Sequence, residues 1–461
     1  MMFLLSMLGI AGASLAAFAH WRWSLFLIVV IAAFQDPLRK ITPGTPGWMT
    51  MLSVPVFLSA IIASRGRMQN WWTRFASTYP DIGKRLGLLM VLTLPAALIS
   101  LTYGAGSWKF TLLGVFSYSL IFLAIILGFH FGRNIDHVRK LLGFYVVVHG
   151  IMLAGGILQY LEWFPDSPIL GDAMFGYEWI RWIPGYIIHM ISGFYRSSDV
   201  MGWHASSVCM LALALAFSGK GRARWFWYLL SAWAVLALFL CGRRKMVYMV
   251  PIFLMVVVWI YFYVGRAAKI IPLLGFLAIP AASVYWMADF LGDDAANIIY
   301  YTSASEGDSA WDRFQVHGFG SLIGTYQQAG VFGMGLGFAT PGAHHLRGAR
   351  PYVWQESGTS RVLVELGVPG FIGFLAVLAA IVAALWRVTR AHLVARTSTG
   401  ALSAGLLAFF VANLGSLTVS GQILADSFIV VFMGVLVGIV LGFARAEFMP
   451  AQVLASQGPR G

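Results

Sequence analysis

Three adjacent cations, Arg243, Arg244 and Lys245, follow Gly242 in a short connection between two apolar stretches, 225–241 and 246–264. Each stretch is long enough to cross a bilayer as a helix. The cations therefore sit at a membrane boundary, in a segment too short to be a domain. A guanidinium pairs its planar fork with two phosphate oxygens, and an ammonium adds a compact point charge. The chemistry that fits is a grip on a phosphate or diphosphate. The plainer alternative is a cluster snorkelling to lipid phosphates.

Other chemistry-bearing residues fall in two long loops. The first, 162–202, is dense in aromatics, with Pro165, Pro168 and Pro184 among them. Such a loop lies at headgroup level or offers flat faces to sugar rings. It ends in Phe194-Tyr195-Arg196-Ser197-Ser198-Asp199, ahead of an apolar stretch opening at Trp203-His204. Arg196 is a second anion candidate, or simply the partner of Asp199. The second loop, 291–361, carries Trp311-Asp312-Arg313-Phe314 and then a helix-like stretch to Gln328. Arg313 is a further cation candidate, with Asp308 and Asp312 as possible partners. Next comes Gly330-Val331-Phe332-Gly333-Met334-Gly335-Leu336-Gly337. Glycines this dense form tight turns or let backbone N–H groups approach an anion. The loop closes with His344, His345, Arg347, Arg350, Tyr352, Trp354 and Glu356. Glu356 could be a general base or a salt-bridge partner of Arg350 or Arg361. Adjacent histidines diverge on regular structure, so His344 and His345 are not read as a metal site.

The elements that must hold these residues are membrane helices. The 461-residue chain is 59% hydrophobic and 11% charged, against about 25% charged in soluble domains. The pattern predicts an all-α polytopic membrane protein with twelve to thirteen spans, near 2–19, 22–36, 47–64, 86–102, 109–130, 140–161, 203–218, 225–241, 246–264, 269–287, 369–386, 401–419 and 424–444. Its apolar start reads as a first span, not a cleaved signal peptide. From 356 to 366, Val362, Leu363 and Leu366 share one helical face. This predicts a short interfacial helix, stopped by Gly367-Val368-Pro369-Gly370 and feeding the next span. The two cysteines, Cys209 and Cys241, lie in apolar runs, which predicts neither a disulfide nor a cysteine-built metal site.

Alternate connections differ in charge. One set holds 19 of the 31 basic residues, with Asp81, Asp136 and Glu447 its only acids; the other holds 15 of the 18 acids. The positive-inside rule makes the first set cytoplasmic. Both long loops and the Arg243-Arg244-Lys245 cluster then face outward. The formal net charge of +13 is read as loops facing anionic lipid, not as nucleic-acid binding.

In this arrangement the chain resembles the O-antigen ligase / O-antigen polymerase superfamily of bacterial envelope glycosyltransferases. Three local features carry the resemblance. Arg196 to His204 is similar to an Arg followed by small and polar residues before a mid-chain span. Arg243-Arg244 stands where the family has a Ser-Arg pair between two spans. Glu356-Ser357, nine residues and Gly367-Val368-Pro369-Gly370 fit the family's frame of a His-Asn-type pair, nine residues and Gly-x-x-Gly. The departure is Glu356, where the ligase branch has histidine, and it favours a polymerase of polysaccharide repeat units. The resemblance implies a polyprenyl-diphosphate-linked glycan donor, a glycan acceptor, no cofactor, no metal, inversion at the anomeric carbon, and a bacterial inner membrane location with the active site facing the periplasm. It assigns Arg244 and Arg313 to the diphosphate, with Arg196, Arg243 and Lys245 beside them, and Glu356 to the acceptor hydroxyl. Tyr352 and Trp354 become candidates for glycan contact, with His344 and His345. Ligation to lipid A core is the alternative within the family, and a lipid-linked glycan flippase the alternative outside it. Spans nearly free of charge, without an internal repeat, weigh against the flippase.

Overall fold

The computed structural model describes residues 2–68, 70–171, 178–183, 186–219, 221–265, 315–343, 346, 355 and 357–446. The protein is an all-α polytopic membrane protein. Two helices open the chain, α1 (Met2–Ala19) and α2 (Trp21–Ile41). Ten spans follow among the described residues: α3 (Gly47–Arg67), α4 (Pro80–Leu101), α5 (Trp108–Phe131), α6 (Ile135–Tyr160), α7 (Ser198–Ser218), α8 (Ala223–Leu240), α9 (Arg244–Tyr263), α10 (Gly358–Val394), α11 (Gly400–Val419) and α12 (Ser427–Ala444). Each matches one expected span. Of the other three, 269–287 lies outside the described residues. The region 22–36 is helical, but α2 carries Arg22, Asp36, Arg39 and Lys40 and is too polar to rank with the ten. Helix α1 covers the expected stretch 2–19 in full and carries no charged residue. The first long loop contains a two-stranded antiparallel hairpin, β1 (Ile180–Ile183) against β2 (Tyr186–His189), which the sequence reading did not foresee.

Helix α7 is the axis of the bundle. Every residue from Val200 to Ala216 is buried, packed against α6, α8 and α11. Apolar burial gives no net drive between helices already in lipid, so close contact and hydrogen bonds must do the work. The clearest case is α5 against α12. Gly434, Gly438 and Gly442 recur every fourth residue on α12 and face α5, which brings Gly128 and Gly132 to the same seam. A methyl group at Gly438 would stand 2.0 Å from the Ile125 carbonyl oxygen, and one at Gly128 would stand 2.2 Å from the Val435 carbonyl oxygen. Polar links reinforce the packing: Trp203 Nε1 donates to Asn413 Oδ1 at 2.9 Å, and the Tyr79 hydroxyl donates to the Leu441 carbonyl at 2.7 Å.

The Gly-x-Pro-Gly signal breaks α10 as expected. Gly367 has φ 65° and ψ −176°, a conformation suited to glycine, and divides the helix into two parts. The first part is packed inside the protein. Ser360, Arg361, Val362, Leu363, Val364, Glu365 and Leu366 are all buried, because the glycine-rich segment 330–337 folds over it. Met334 N–H donates to the Val364 carbonyl at 2.7 Å, Val368 N–H to the Val331 carbonyl at 2.7 Å, and Leu336 N–H to the Ala96 carbonyl at 3.2 Å. The glycines thus serve backbone-to-backbone packing, and these two loop N–H groups, on Met334 and Leu336, bond to protein carbonyls rather than to an anion.

Gly438→Ala is expected to lower the melting temperature of the detergent-solubilised protein, at a cost of about 1–3 kcal/mol from overpacking. Gly324→Ala is the control: it sits in the helix Ser321–Ala329 with open space around it and should be neutral or stabilising by up to about 1 kcal/mol. Equal melting behaviour of the two variants would contradict the close-packed seam.

Candidate functional site

The cation cluster opens α9. Gly242 makes the turn from α8 with φ +68°, its Cα against the Met190 side chain. Arg243 Nη2 contacts Asp199 Oδ2 at 3.0 Å, and its Nε donates to Ser198 Oγ at 3.0 Å. Lys245 Nζ meets the other oxygen of the same carboxylate at 2.9 Å. Asp199 stands in the first turn of α7, where the helix dipole favours a negative charge. Among the described residues, two cations therefore share one carboxylate. The Arg243 guanidinium lies 5.1 Å from the Trp179 ring centroid, a cation–π contact with the aromatic loop. Arg244 is half-buried beside them. The cluster sits where α7, α8 and α9 meet.

Arg196 is differently placed. It does not turn to Asp199, three residues on, but to two distant aspartates. Its Nη1 meets Asp36 Oδ1 at 3.2 Å, and its Nη2 pairs with Asp426. Its backbone N–H donates to Asp36 Oδ2 at 3.1 Å. Asp36 and Asp426 are almost fully buried. Burial alone would lower the arginine's pKa; the two carboxylates outweigh that and raise it above the usual value. Asp426 also accepts from Ile429 N–H at 3.0 Å, capping α12. One guanidinium thereby ties α2, the entry to α7 and the entry to α12, and its charge is outnumbered by two carboxylates.

Below this triad lies a stacked aromatic group that the sequence reading did not single out. The His149 and His204 rings lie 4.0 Å apart between centroids. Tyr195 hydroxyl bonds His149 Nδ1 at 3.1 Å, and Tyr145 hydroxyl bonds His204 Nδ1 at 3.0 Å. Burial, then the neighbouring Tyr145 and Asp36, push the Tyr195 phenol well above its ordinary pKa. The histidines come from α6 and α7, 55 positions apart by their numbers, and no local spacing links them. Nearby Lys40 is fully buried on α2, its ammonium donating to the Gly193 carbonyl at 2.8 Å.

A third node holds the start of α10. Arg361 Nη1 donates to the Leu424 carbonyl at 2.7 Å, and Nη2 donates to Thr340 Oγ1 at 3.0 Å and Ser117 Oγ at 3.2 Å. Buried Glu365 accepts from Thr340 Oγ1 at 2.8 Å. Arg361 and Arg196 thus both fasten the connection that carries Leu424 and Asp426. Of the residues around position 356, Gln355 Nε2 donates to Gln328 Oε1 at 3.3 Å, and Ser357 Oγ accepts from Ser360 N–H at 3.0 Å. Glu356 itself lies outside the described residues, as do Arg313, His344, His345, Tyr352 and Trp354. The structure therefore brings Arg243 and Lys245 together on Asp199, with Arg244 beside them, and sets Arg196 into a separate ion triad of the same bundle end.

No family model matches the sequence, and no curated protein matches it.

Breaking a buried ion pair by removing one partner costs about 3–5 kcal/mol. Arg196→Ala is expected to cause that scale of loss, seen as aggregation on size-exclusion chromatography or a steep fall in melting temperature. Lys245→Ala removes a partly exposed partner of Asp199 and is expected to cost under about 1 kcal/mol. An Arg196→Ala protein with wild-type melting would rule out the triad as a structural pin.

Proposed function

We propose that this protein is a polysaccharide polymerase of the cell envelope. It transfers a polyprenyl-diphosphate-linked glycan to a sugar hydroxyl of a second lipid-linked repeat unit, at the periplasmic face of a bacterial inner membrane. The observation that carries the reading is the cation cluster at one bundle end, where among the described residues Arg243 and Lys245 both contact the Asp199 carboxylate. A donor diphosphate anchored by its lipid tail reaches a membrane boundary of this kind. The resemblance of the 196–204, 243–244 and 356–370 segments to the O-antigen ligase / polymerase superfamily supports the same reading.

In this scheme the acceptor hydroxyl oxygen attacks the anomeric carbon of the donor sugar. The bond from that carbon to the diphosphate oxygen breaks, and its electron pair leaves with the lipid diphosphate. The hydroxyl proton passes to the Glu356 carboxylate. Negative charge grows on the leaving diphosphate, and fixed cations at a low-dielectric boundary stabilise it, each by about 3 kcal/mol when well placed. Arg244 and Arg313 take this role, with Arg243 and Lys245 flanking. Two aspartates already outnumber the charge of Arg196, so we assign that residue to holding the frame instead of the diphosphate. Trp179 stiffens Arg243, while Tyr352, Trp354, His344 and His345 contact the glycan. The cations neutralise the leaving group, so the scheme uses neither metal nor cofactor.

Purified protein in liposomes, given a polyprenyl-diphosphate oligosaccharide, is expected to release lipid diphosphate and lengthen the glycan. Arg244→Ala and Arg313→Ala should each lower kcat/KM about 100-fold while eluting and melting like wild type. Glu356→Gln should lower kcat more than it changes donor binding. Retention of turnover within about twofold in both arginine variants would remove the assigned roles. Product on a lipid A core acceptor in place of a second repeat unit would make the protein a ligase. Glycan crossing the bilayer with no bond broken would make it a transporter.

A further inference from the structure

The end of the bundle opposite the aspartate-linked clusters holds a cavity of about 360 Å³, within the size range of small-molecule sites. It is lined by His20, Trp21, Arg22, Trp23, Phe26, Arg67, Phe131, His137 and Lys140. Two kinds of side chain make up this wall: cations or histidines, and aromatics. Among the described residues no carboxylate lines it. Among the described residues none of Arg22, Arg67 and Lys140 has an ion-pair partner. The nearest acid in sequence, Asp136, lies in the first turn of α6, outside the lining. The cations come from three helices, α2, α3 and α6, and Arg67 is steadied by donating to the Ala19 carbonyl at the α1–α2 turn. Arg22 lies 5.5 Å from the Trp21 ring centroid, and Trp21 meets Phe131 edge-on at 6.5 Å. Trp21 and Phe131 are buried and form an apolar floor beneath the charged rim.

We propose that this cavity binds the headgroup of an anionic phospholipid. The phosphodiester sits among Arg22, Arg67 and Lys140, and the first methylenes of an acyl chain rest on Trp21, Phe26 and Phe131. Three unmatched cations above an aromatic floor, at the end of membrane helices, match both halves of such a lipid. A soluble phosphate needs the rim but not the floor, and a zwitterionic lipid brings its own cation into a rim that has no anion for it. The site is independent of the glycan-transfer reading, because it stands at the other end of the helices.

The test uses the full chain in a mild non-ionic detergent and dioleoyl phosphatidylglycerol with a fluorescent acyl tail, read by fluorescence polarisation. Unlabelled phosphatidylglycerol should displace the probe, while dioleoyl phosphatidylcholine and millimolar inorganic phosphate should not. The triple variant Arg22→Gln, Arg67→Gln, Lys140→Gln should weaken binding at least about tenfold, as expected from about 1 kcal/mol per cation at a membrane surface. The control triple variant Lys84→Gln, Arg222→Gln, Arg390→Gln removes the same charge from exposed positions elsewhere on that face and should bind as wild type. Should the first triple variant not fold, Lys140→Glu alone is read in its place and should also weaken binding. Equal weakening by both triple variants would overturn the site in favour of diffuse charge attraction. Equal displacement by phosphatidylcholine would reduce it to a greasy crevice, and displacement by inorganic phosphate would make it a free-phosphate site.

Discussion

The described structure depends most on one buried ion group, Arg196 between Asp36 and Asp426. Each member comes from a different part of the chain; the two carboxylates are almost fully buried and the guanidinium is mostly so. Three isolated charges there would each carry a large desolvation penalty, so the group tolerates burial only when complete. This makes it a positional constraint more than a source of stability. α2, the entry to α7 and the entry to α12 are placed only where the two carboxylates can reach one guanidinium. The cap that Asp426 gives to α12 and the seat of Tyr195 against His149 follow from that placement.

Through this constraint the cation cluster acquires its position. Arg196 fixes the segment that ends in Ser198 and Asp199, and those two residues hold Arg243 and Lys245. A rigid frame with a neutralised arginine thus carries a shorter, partly exposed patch in which, among the described residues, two cations contact one carboxylate. Preorganisation of this kind suits the stabilisation of a charge that develops during a reaction, because the cations need no rearrangement when it appears. Under the proposed function, the same separation gives different tasks to two neighbouring sets of arginines, both plausible anion ligands by type.

Much of the architecture was legible in the residues, for reasons that differ by element. The ten spans are long and apolar, and length alone identifies them. The break in α10 was legible because Gly367-Val368-Pro369-Gly370 is a local stop. The stretch 22–36 is helical, but it ends on Asp36, and Arg39 and Lys40 follow in the same helix, at the end that binds Arg196 and Gly193. The partners of Arg196 were invisible because they lie 160 and 230 residues away. Local reading could offer only Asp199, which is taken by other cations. The stacked His149 and His204 escaped for the same reason. The dense glycines raised two possibilities, turn flexibility and anion approach, and close packing against Ala96, Phe110 and Gly367 is what they do.

That glycine-rich strap is fastened to α10 and α4 by main-chain atoms: Met334 to Val364, Val368 to Val331, Leu336 to Ala96. Main-chain bonds do not depend on side-chain identity but do depend on register. Evolution is therefore free to vary Val331, Phe332 and Met334, whereas adding or deleting a single residue between Gly330 and Gly337 would shift every rung. In this part of the molecule the number of residues matters more than their chemistry, so exchanges should be tolerated where insertions are not.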